Sequence, residues 1–460
     1  MNPVEEARRL DAADPLAEYR ERFNLPEGII YLDGNSLGAL PKRTAARLEE
    51  VVRGEWGEGL IRSWNAVPGG GLGWVDLPQR VGAKIAPLVG AQPHEVIACD
   101  STSVNIFKLI AAALQMRPGR KAVLSEPGNF PTDLYMIAGL EAQGLAERRL
   151  APAGSLVEAL DKDTALLLLT HVHYRTGAVH DMAALTRAAH AAGALVLWDL
   201  SHSTGAVEVD LNACQADFAV GCGYKYLNGG PGAPAFAFVA ERHHAALAQP
   251  LTGWFGHARP FAFEDEYRPA AGVAQLLAGT PHVLGLAAFE VGVDLVAEIG
   301  VARLAAKSQE LSEFFLRCLS FALPFPLAGS RRRGGATAGG APADTDEERS
   351  AASAAADAAD PSPPSLSPRE RGALVFVSPP DPHQRGSQLS FRHPNAYAVT
   401  QALIARGVIG DFREPDVLRL GFSPAYLRFS DVAEAARHLA EVLQTGEWQQ
   451  ERFAARAAVT

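Results

Sequence analysis

The sequence predicts an α/β fold, in which a mostly parallel sheet is covered on both faces by helices and followed by a smaller C-terminal α+β domain. Three observations carry that expectation. Short apolar strands alternate with amphipathic helices through the middle of the chain, the pattern of βαβ units. The 460 residues are enough for two to four domains with a large core. Hydrophobic residues make up 48% and charged residues 20%, an ordinary globular balance that excludes global disorder.

The elements follow in order. Helical periodicity runs to about Phe23, and GIIYLDGNSLGALP then reads as a short strand broken by an Asp-Gly turn, before a helix from Lys42 to about Glu55. KAVLSE precedes a helix from Asp133, and TALLLLTHV precedes a helix from Asp181. GALVLWDL, DFAVGCGYKYL and PAFAFVA are further strands, and Thr280 to Phe321 reads as long helix. ALVFVS, QLSFRH, a helix from Ala396 to Arg406 and VLRLGFS form the smaller domain. The expected division is an N-terminal helical arm and small-domain segment over 1–59, a large domain over 60–290 and a C-terminal domain over 291–460. Residues 329–370 contain almost no large apolar side chain and are expected to be a disordered surface insertion. A nucleic-acid arm carried by Arg331 to Arg333 is cancelled by the acidic run from Asp344 to Glu348.

The formal charge of −10 repels phosphate backbones, so no nucleic-acid partner is expected. Cys99, Cys214, Cys222 and Cys318 have no CxxC spacing, which argues against a disulfide framework or a zinc knuckle and fits a reducing compartment. The charged opening residues and the lack of an apolar run near 18 residues predict a soluble, cytoplasmic protein with no membrane partner.

Ligands of a parallel sheet bind beyond the carboxyl ends of its strands, so the residues there carry the chemistry. ALVLWDLSHSTG ends a strand in Asp199 and places His202 three residues later, and Lys225 in GCGYKYLNGGPG follows 26 positions beyond Asp199. Taken singly, each is more simply a turn-capping Asp and a Lys that reaches the surface. Together they suit pyridoxal phosphate chemistry, in which a desolvated lysine forms the imine and a carboxylate keeps the pyridine nitrogen protonated. CDSTSVNIFKLI starts a helix behind Ser101, Thr102 and Ser103, a ready phosphate cradle, although an N-cap cluster is the plainer reading. In FPTD, Phe130 offers a ring to stack and Asp133 reaches a ring substituent. A rival metal hydrolase would use His171, His173, Asp199 and His202, but it has no acidic cluster and no HExxH helix, and it leaves Lys225 unexplained, so no metal is expected. PGGGLGW lacks the context of a dinucleotide or phosphate-binding loop.

YLDGNSLG (31–38), FPTD (130–133), WDLSHSTGAV (198–207), CGYKYLNGGPG (222–232), LTGWFGH (251–257) and RGVIGDFREPDVLRLGFSPAY (406–426) resemble the kynureninase family. The resemblance runs in order through nearly the whole chain and breaks only near 329–370. It implies a fold type I pyridoxal phosphate enzyme, a homodimer, that hydrolyses L-kynurenine or 3-hydroxykynurenine to anthranilate or 3-hydroxyanthranilate and L-alanine in tryptophan catabolism, on the kynurenine pathway toward NAD biosynthesis. It further implies that Lys225 is the Schiff-base lysine, that Asp199 pairs with the pyridine nitrogen and that Phe130 stacks on the ring. Thr102, Ser103 and Tyr224 would hold the phosphate, with Asp133, Thr170 and His202 completing the surround. Tyr224 is also the candidate proton relay. Trp254 and Thr280 match positions that reach the cofactor across the dimer interface, and Arg419 matches the arginine that clamps the substrate α-carboxylate. Asn35, Ser36 and Trp64 would wall the substrate pocket. Neighbouring readings are a class V aminotransferase, a cysteine desulfurase, for which Cys318 is poorly placed in its helix, and a pyridoxal-binding regulatory module without turnover.

Overall fold

The computed structural model describes residues 2–67, 69–323 and 374–456. The expectations for 329–370 lie outside the described residues.

The centre is a seven-stranded sheet. Its strands in chain order are β1 (Val96–Ala98), β2 (Ala122–Ser125), β3 (Glu147–Leu150), β4 (Thr164–Thr170), β5 (Leu195–Asp199), β6 (Phe218–Cys222) and β7 (Ala235–Val239). They lie side by side as β1-β7-β6-β5-β4-β2-β3. All run parallel except β7, which is antiparallel to both of its neighbours. The apolar runs have the composition of strands buried on both faces. Leu166, Leu168, Leu195 and Leu197 enter one core together with Ile106 and Leu109. Leu167, Leu169, Val196 and Trp198 enter the other, which extends into the C-terminal domain. The α/β class expected from the sequence is therefore present, with one antiparallel strand.

The helices depart from expectation in three places. The helical run expected to about Phe23 is an α-helix over Pro3–Ala13 followed by a separate 3-10 helix over Ala17–Arg22. The helix expected from Lys42 to about Glu55 is α-helical over Lys42–Glu50 and continues as a π-helical stretch, Val51–Gly59. The long helix expected from Thr280 to Phe321 is two helices, Val283–Ile299 and Val301–Ala322, parted at Gly300, whose φ of 89° an L side chain rarely adopts. Residue 290 falls within the first of these.

The C-terminal residues form an antiparallel four-stranded sheet, β8 (Val375–Phe376), β9 (Gln388–Arg392), β10 (Asp411–Arg413) and β11 (Val417–Gly421), ordered β8-β9-β11-β10. The N-terminal segment joins this layer, because Ile30–Tyr31 pairs in parallel with Val408–Ile409. Residues 32–38 then cross toward the large sheet. The Gly421 N–H donates to the Leu32 carbonyl at 2.7 Å, and the Gly38 N–H donates to the Tyr224 carbonyl at 2.7 Å. A side chain at Gly38 would collide with the Lys225 carbonyl, so this crossing needs glycine. Among the described residues no helix is long and apolar enough to cross a membrane.

Candidate functional site

The carboxyl ends of β2, β4, β5 and β6 lie at one edge of the sheet and deliver Ser125, Thr170, Asp199 and Cys222 there. Register places Thr170 directly beside Asp199. Lys225 follows β6 in a tight turn closed by the Asn228 N–H on its own carbonyl at 2.9 Å. Its side chain is buried, with Nζ 3.3 Å from Nε2 and 3.4 Å from Nδ1 of His202. The same nitrogen lies 5.7 Å from the Phe130 ring centre and 6.0 Å from that of Tyr224. Burial lowers the Lys225 pKa below the usual lysine range, and burial followed by the Lys225 charge lowers His202 well below the usual histidine range.

Two carboxylates face this lysine. Asp199 Oδ1 accepts from the Ser201 N–H at 2.8 Å, and burial raises its pKa. Asp133 is fully buried, and among the described residues neither of its carboxylate oxygens has a hydrogen-bond partner of ordinary geometry. Burial and then the Asp199 charge push its pKa well above the carboxylate range. A buried carboxyl with no partner costs free energy that the fold alone does not recover, so these oxygens are available to a ligand.

The third element is the start of the helix Thr102–Met116, where Ser101 accepts from the Val104 N–H at 3.3 Å as the N-cap. Thr102, Ser103 and Tyr224 line a cavity of about 350 Å³ together with Gly232 and His282. The Thr102 hydroxyl is buried and unpartnered. A cleft with free donors at a helix N-terminus is suited to a phosphate group.

Thr170 is oriented by a residue that sequence reading missed. Its hydroxyl donates to Asn129 Oδ1, while Asn129 Nδ2 donates to Ser125 Oγ at 3.0 Å and Ser125 Oγ donates to the Leu168 carbonyl at 2.7 Å. The Phe130 N–H donates to the same Asn129 oxygen at 2.8 Å, so one amide holds both Thr170 and Phe130. The signal available in sequence was an Asn immediately before FPTD.

Arg419 is fully buried, and its Nε donates to Asp411 Oδ1 at 2.7 Å while Nη2 donates to Asp411 Oδ2. Nη1 donates to the Tyr174 carbonyl at 2.5 Å and Nη2 to Ser36 Oγ at 3.1 Å. The Arg413 Nη2 adds to Asp411 Oδ2 at 2.8 Å. Sequence reading missed Asp411 and Arg413, although a hairpin through EPD in GDFREPDVLR would have placed Asp411 opposite Arg419. Ser36 thus joins the Arg419 group, and Asn35 is buried beside Gly421 with both amide atoms unpartnered.

Trp64, Trp254 and Thr280 fall in a second group. Trp64 contacts Trp74 and Phe255 at 5.7 and 5.9 Å between ring centres, and exposed Trp254 packs edge-on to Phe255 at 4.9 Å. Gly253 lies against the Ala278 carbonyl, which brings the Trp254 loop to the Thr280 loop. Exposed Thr280 lines a cavity of about 150 Å³ that shares Asp100, Pro234 and His282 with the Thr102 cavity.

The histidines of the rival metal reading have other partners. His171 Nδ1 meets Ser203 Oγ at 2.9 Å, and His173 Nε2 meets the Gly128 carbonyl at 2.9 Å. Among the described residues no group of three or more His, Cys, Asp or Glu side chains is arranged to hold a metal ion. Cys318 is buried within the helix Val301–Ala322.

Comparison with known proteins adds the following. Residues 75–332 match the aminotransferase class-V family, and residues 366–439 match the kynureninase C-terminal domain. The chain is 46% identical to a kynureninase of Burkholderia mallei (strain SAVP1) over 467 aligned residues, covering all of both chains. It is 44% identical to a kynureninase of Pseudomonas fluorescens, covering 98% of each. The structure is similar to the apo structure of a cysteine desulfurase from Thermococcus onnurineus NA1, with a TM-score of 0.69 at 17% identity over 93% of this chain and 98% of that one.

Proposed function

The chain belongs to the kynureninase family, and on that premise we propose the part each side chain plays in a pyridoxal phosphate-dependent hydrolysis of L-kynurenine to anthranilate and L-alanine. The observation that supports these assignments is the set of buried groups left wanting around Lys225. These are the two Asp133 oxygens, the Thr102 hydroxyl and a lysine whose charge is disfavoured. A phosphorylated pyridine aldehyde offers a complement to each of them. When bound, pyridoxal phosphate supplies an aldehyde that condenses with amines and a ring that withdraws electrons from the attached carbon.

In this reading Lys225 would hold the aldehyde through its amine, and the same amine would take up the substrate's Cα proton. Burial lowers its pKa, which favours the neutral amine that these roles need. Asp199 holds a proton on the ring nitrogen, and Phe130, Thr170, Asp133 and His202 bracket the ring. Thr102, Ser103 and Tyr224 hold the phosphate, and Tyr224 relays a proton in the later steps. Arg419 receives the α-carboxylate, while Asn35, Ser36 and Trp64 wall the pocket. Trp64 and Thr280 set the preference between kynurenine and 3-hydroxykynurenine.

The active unit is a cytoplasmic homodimer in which Trp254 and Thr280 complete the partner's site. The exposed side chains of Trp254, Phe261, Phe263, Leu60 and Ile61 support this, since a soluble monomer gains nothing from exposing them. The test is steady-state turnover of L-kynurenine and 3-hydroxykynurenine, with anthranilate or its hydroxy form and alanine measured in equal amounts. A yellow protein that binds either substrate without releasing alanine would refute the assignment.

A further inference from the structure

Arg419 has five N–H donors, and their allocation is uneven. Two, on Nε and Nη2, are given to Asp411, which lies opposite it in the β10–β11 register. One on Nη1 goes to the Tyr174 carbonyl, and the second on Nη2 goes to Ser36 Oγ at 3.1 Å. The other Nη1 donor has no partner among the described residues. A carboxylate that meets the guanidinium across its Nη1–Nη2 edge needs one donor from each nitrogen. One Nη1 donor is free among the described residues, and Nη2 is shared between Asp411 and Ser36.

We infer that Asp411 is the positioning residue that turns the Nη1–Nη2 edge of Arg419 toward the substrate, and that the Ser36 hydroxyl occupies the carboxylate seat until substrate displaces it. This rests on the assignment of Arg419 to the α-carboxylate above. Ser36 can release Nη2 without stranding a charge, since its hydroxyl still donates to Asp411 Oδ2 and accepts from Arg413 Nη2 at 3.1 Å. Asp411 does not leave, because it is fully buried and its Oδ2 also receives the Arg413 Nη2 at 2.8 Å. Removing one arginine would still leave the carboxylate paired. Although burial pushes the Asp411 carboxyl up, the Arg419 charge and hydrogen bonds bring it below the carboxylate range, so it stays ionised as a guide must. The seat connects to the lysine through the chain: the loop that carries Ser36 is bonded at Leu32 to Gly421 and at Gly38 to the Tyr224 carbonyl.

The test uses the holoenzyme. Asp411→Asn keeps the shape but loses the charge and one acceptor, so the guanidinium is free to rotate. The Michaelis constant for L-kynurenine should rise about tenfold or more with kcat within threefold and the visible spectrum unchanged, as for loss of a charge-assisted bidentate pair. Inhibition by the decarboxylated amine analogue of kynurenine, which has no carboxylate to seat, should change less than twofold. Ser36→Ala should lower the Michaelis constant two- to threefold, because a competitor for Nη2 is gone. Arg419→Gln serves as the reference and should raise it at least as much as Asp411→Asn. If Arg419→Gln leaves the Michaelis constant unchanged, the carboxylate assignment itself fails. If it raises the constant while Asp411→Asn does not, or if Asp411→Asn weakens the carboxylate-free amine equally, Asp411 has no positioning role. An unchanged or raised constant in Ser36→Ala overturns the exchange.

Discussion

Nζ of Lys225 lies 3.3 Å from Nε2 of His202, and both side chains are buried. Burial disfavours a positive charge on either, and the Lys225 charge further disfavours one on His202. The imidazole is therefore neutral at physiological pH, and the lysine nitrogen lies within hydrogen-bond distance of it. A lysine kept in this way is a ready nucleophile and base, and it depends on the depth of the site rather than on the lysine itself.

Lys225→Ala removes both the amine that binds the aldehyde and the base. Turnover of L-kynurenine should fall by at least about 100-fold, since a positioned general base alone contributes roughly 10²- to 10⁴-fold. The check is single-turnover kinetics with saturating pyridoxal phosphate. Activity within tenfold of the parent would remove Lys225 from the chemistry.

Asp133→Asn separates the needs of the fold from those of the ligand. The Asp133 pKa is raised well above the usual value, so the folded state without cofactor binds more protons than the unfolded chain. Stability contributed at this position is therefore present at low pH and lost as pH rises above the unfolded value near 3.8. The neutral amide escapes that loss. Apo Asp133→Asn should melt a few degrees higher than the parent at pH 8, the difference shrinking toward pH 4, while its affinity for pyridoxal phosphate falls about tenfold. Scanning calorimetry of the apo forms and a cofactor titration decide it; a lower apo melting temperature at pH 8 contradicts the argument.

His171 predicts an acid limb. Burial, followed by the His180 charge, lowers its pKa to about 4, so the unfolded chain takes up a proton below pH 6.5 that the folded chain refuses. Stability rises with pH wherever the unfolded state binds more protons, so it is lost between pH 6.5 and about 4, by about 3 kcal/mol in all. His171→Asn can keep a polar group near the Nδ1 position against Ser203 and should flatten this limb. Between pH 7 and pH 4.5 the urea midpoint of the parent should fall relative to that of the variant. Parallel pH profiles would show that His171 is not the titrating group.

Trp254→Ala and Lys225→Ala test whether the sites are shared. If Trp254 serves the partner's site, a heterodimer of the two inactive variants has one site carrying both defects and one intact site. A statistical mixture should then recover about a quarter of parent activity. Recovery should appear after subunit exchange and not before. No recovery would place Trp254 outside the partner's site.

How far the sequence reached can be traced in these residues. Period and composition were enough to place Asp199 at a strand end, because a buried parallel strand is an unbroken apolar run and its first polar residue marks the edge where ligands bind. Thr170 was named only through the family resemblance, and Lys225, expected within a strand, lies in the turn after β6. The same local logic marked the helix start at Ser101. Other features belong to closure over long separations. Asp411 becomes the partner of Arg419 only through the β10–β11 register, Asn129 reaches Thr170 across 41 residues, and residues 32–38 link Gly421 to Tyr224. The break at Gly300 was also invisible in the hydrophobic period, which continues on both sides of it. A hydrophobic period states which face of an element is buried but not which distant side chain it will meet. The donor allocation of Arg419, and the unpartnered carboxyl of Asp133, are consequences of that meeting.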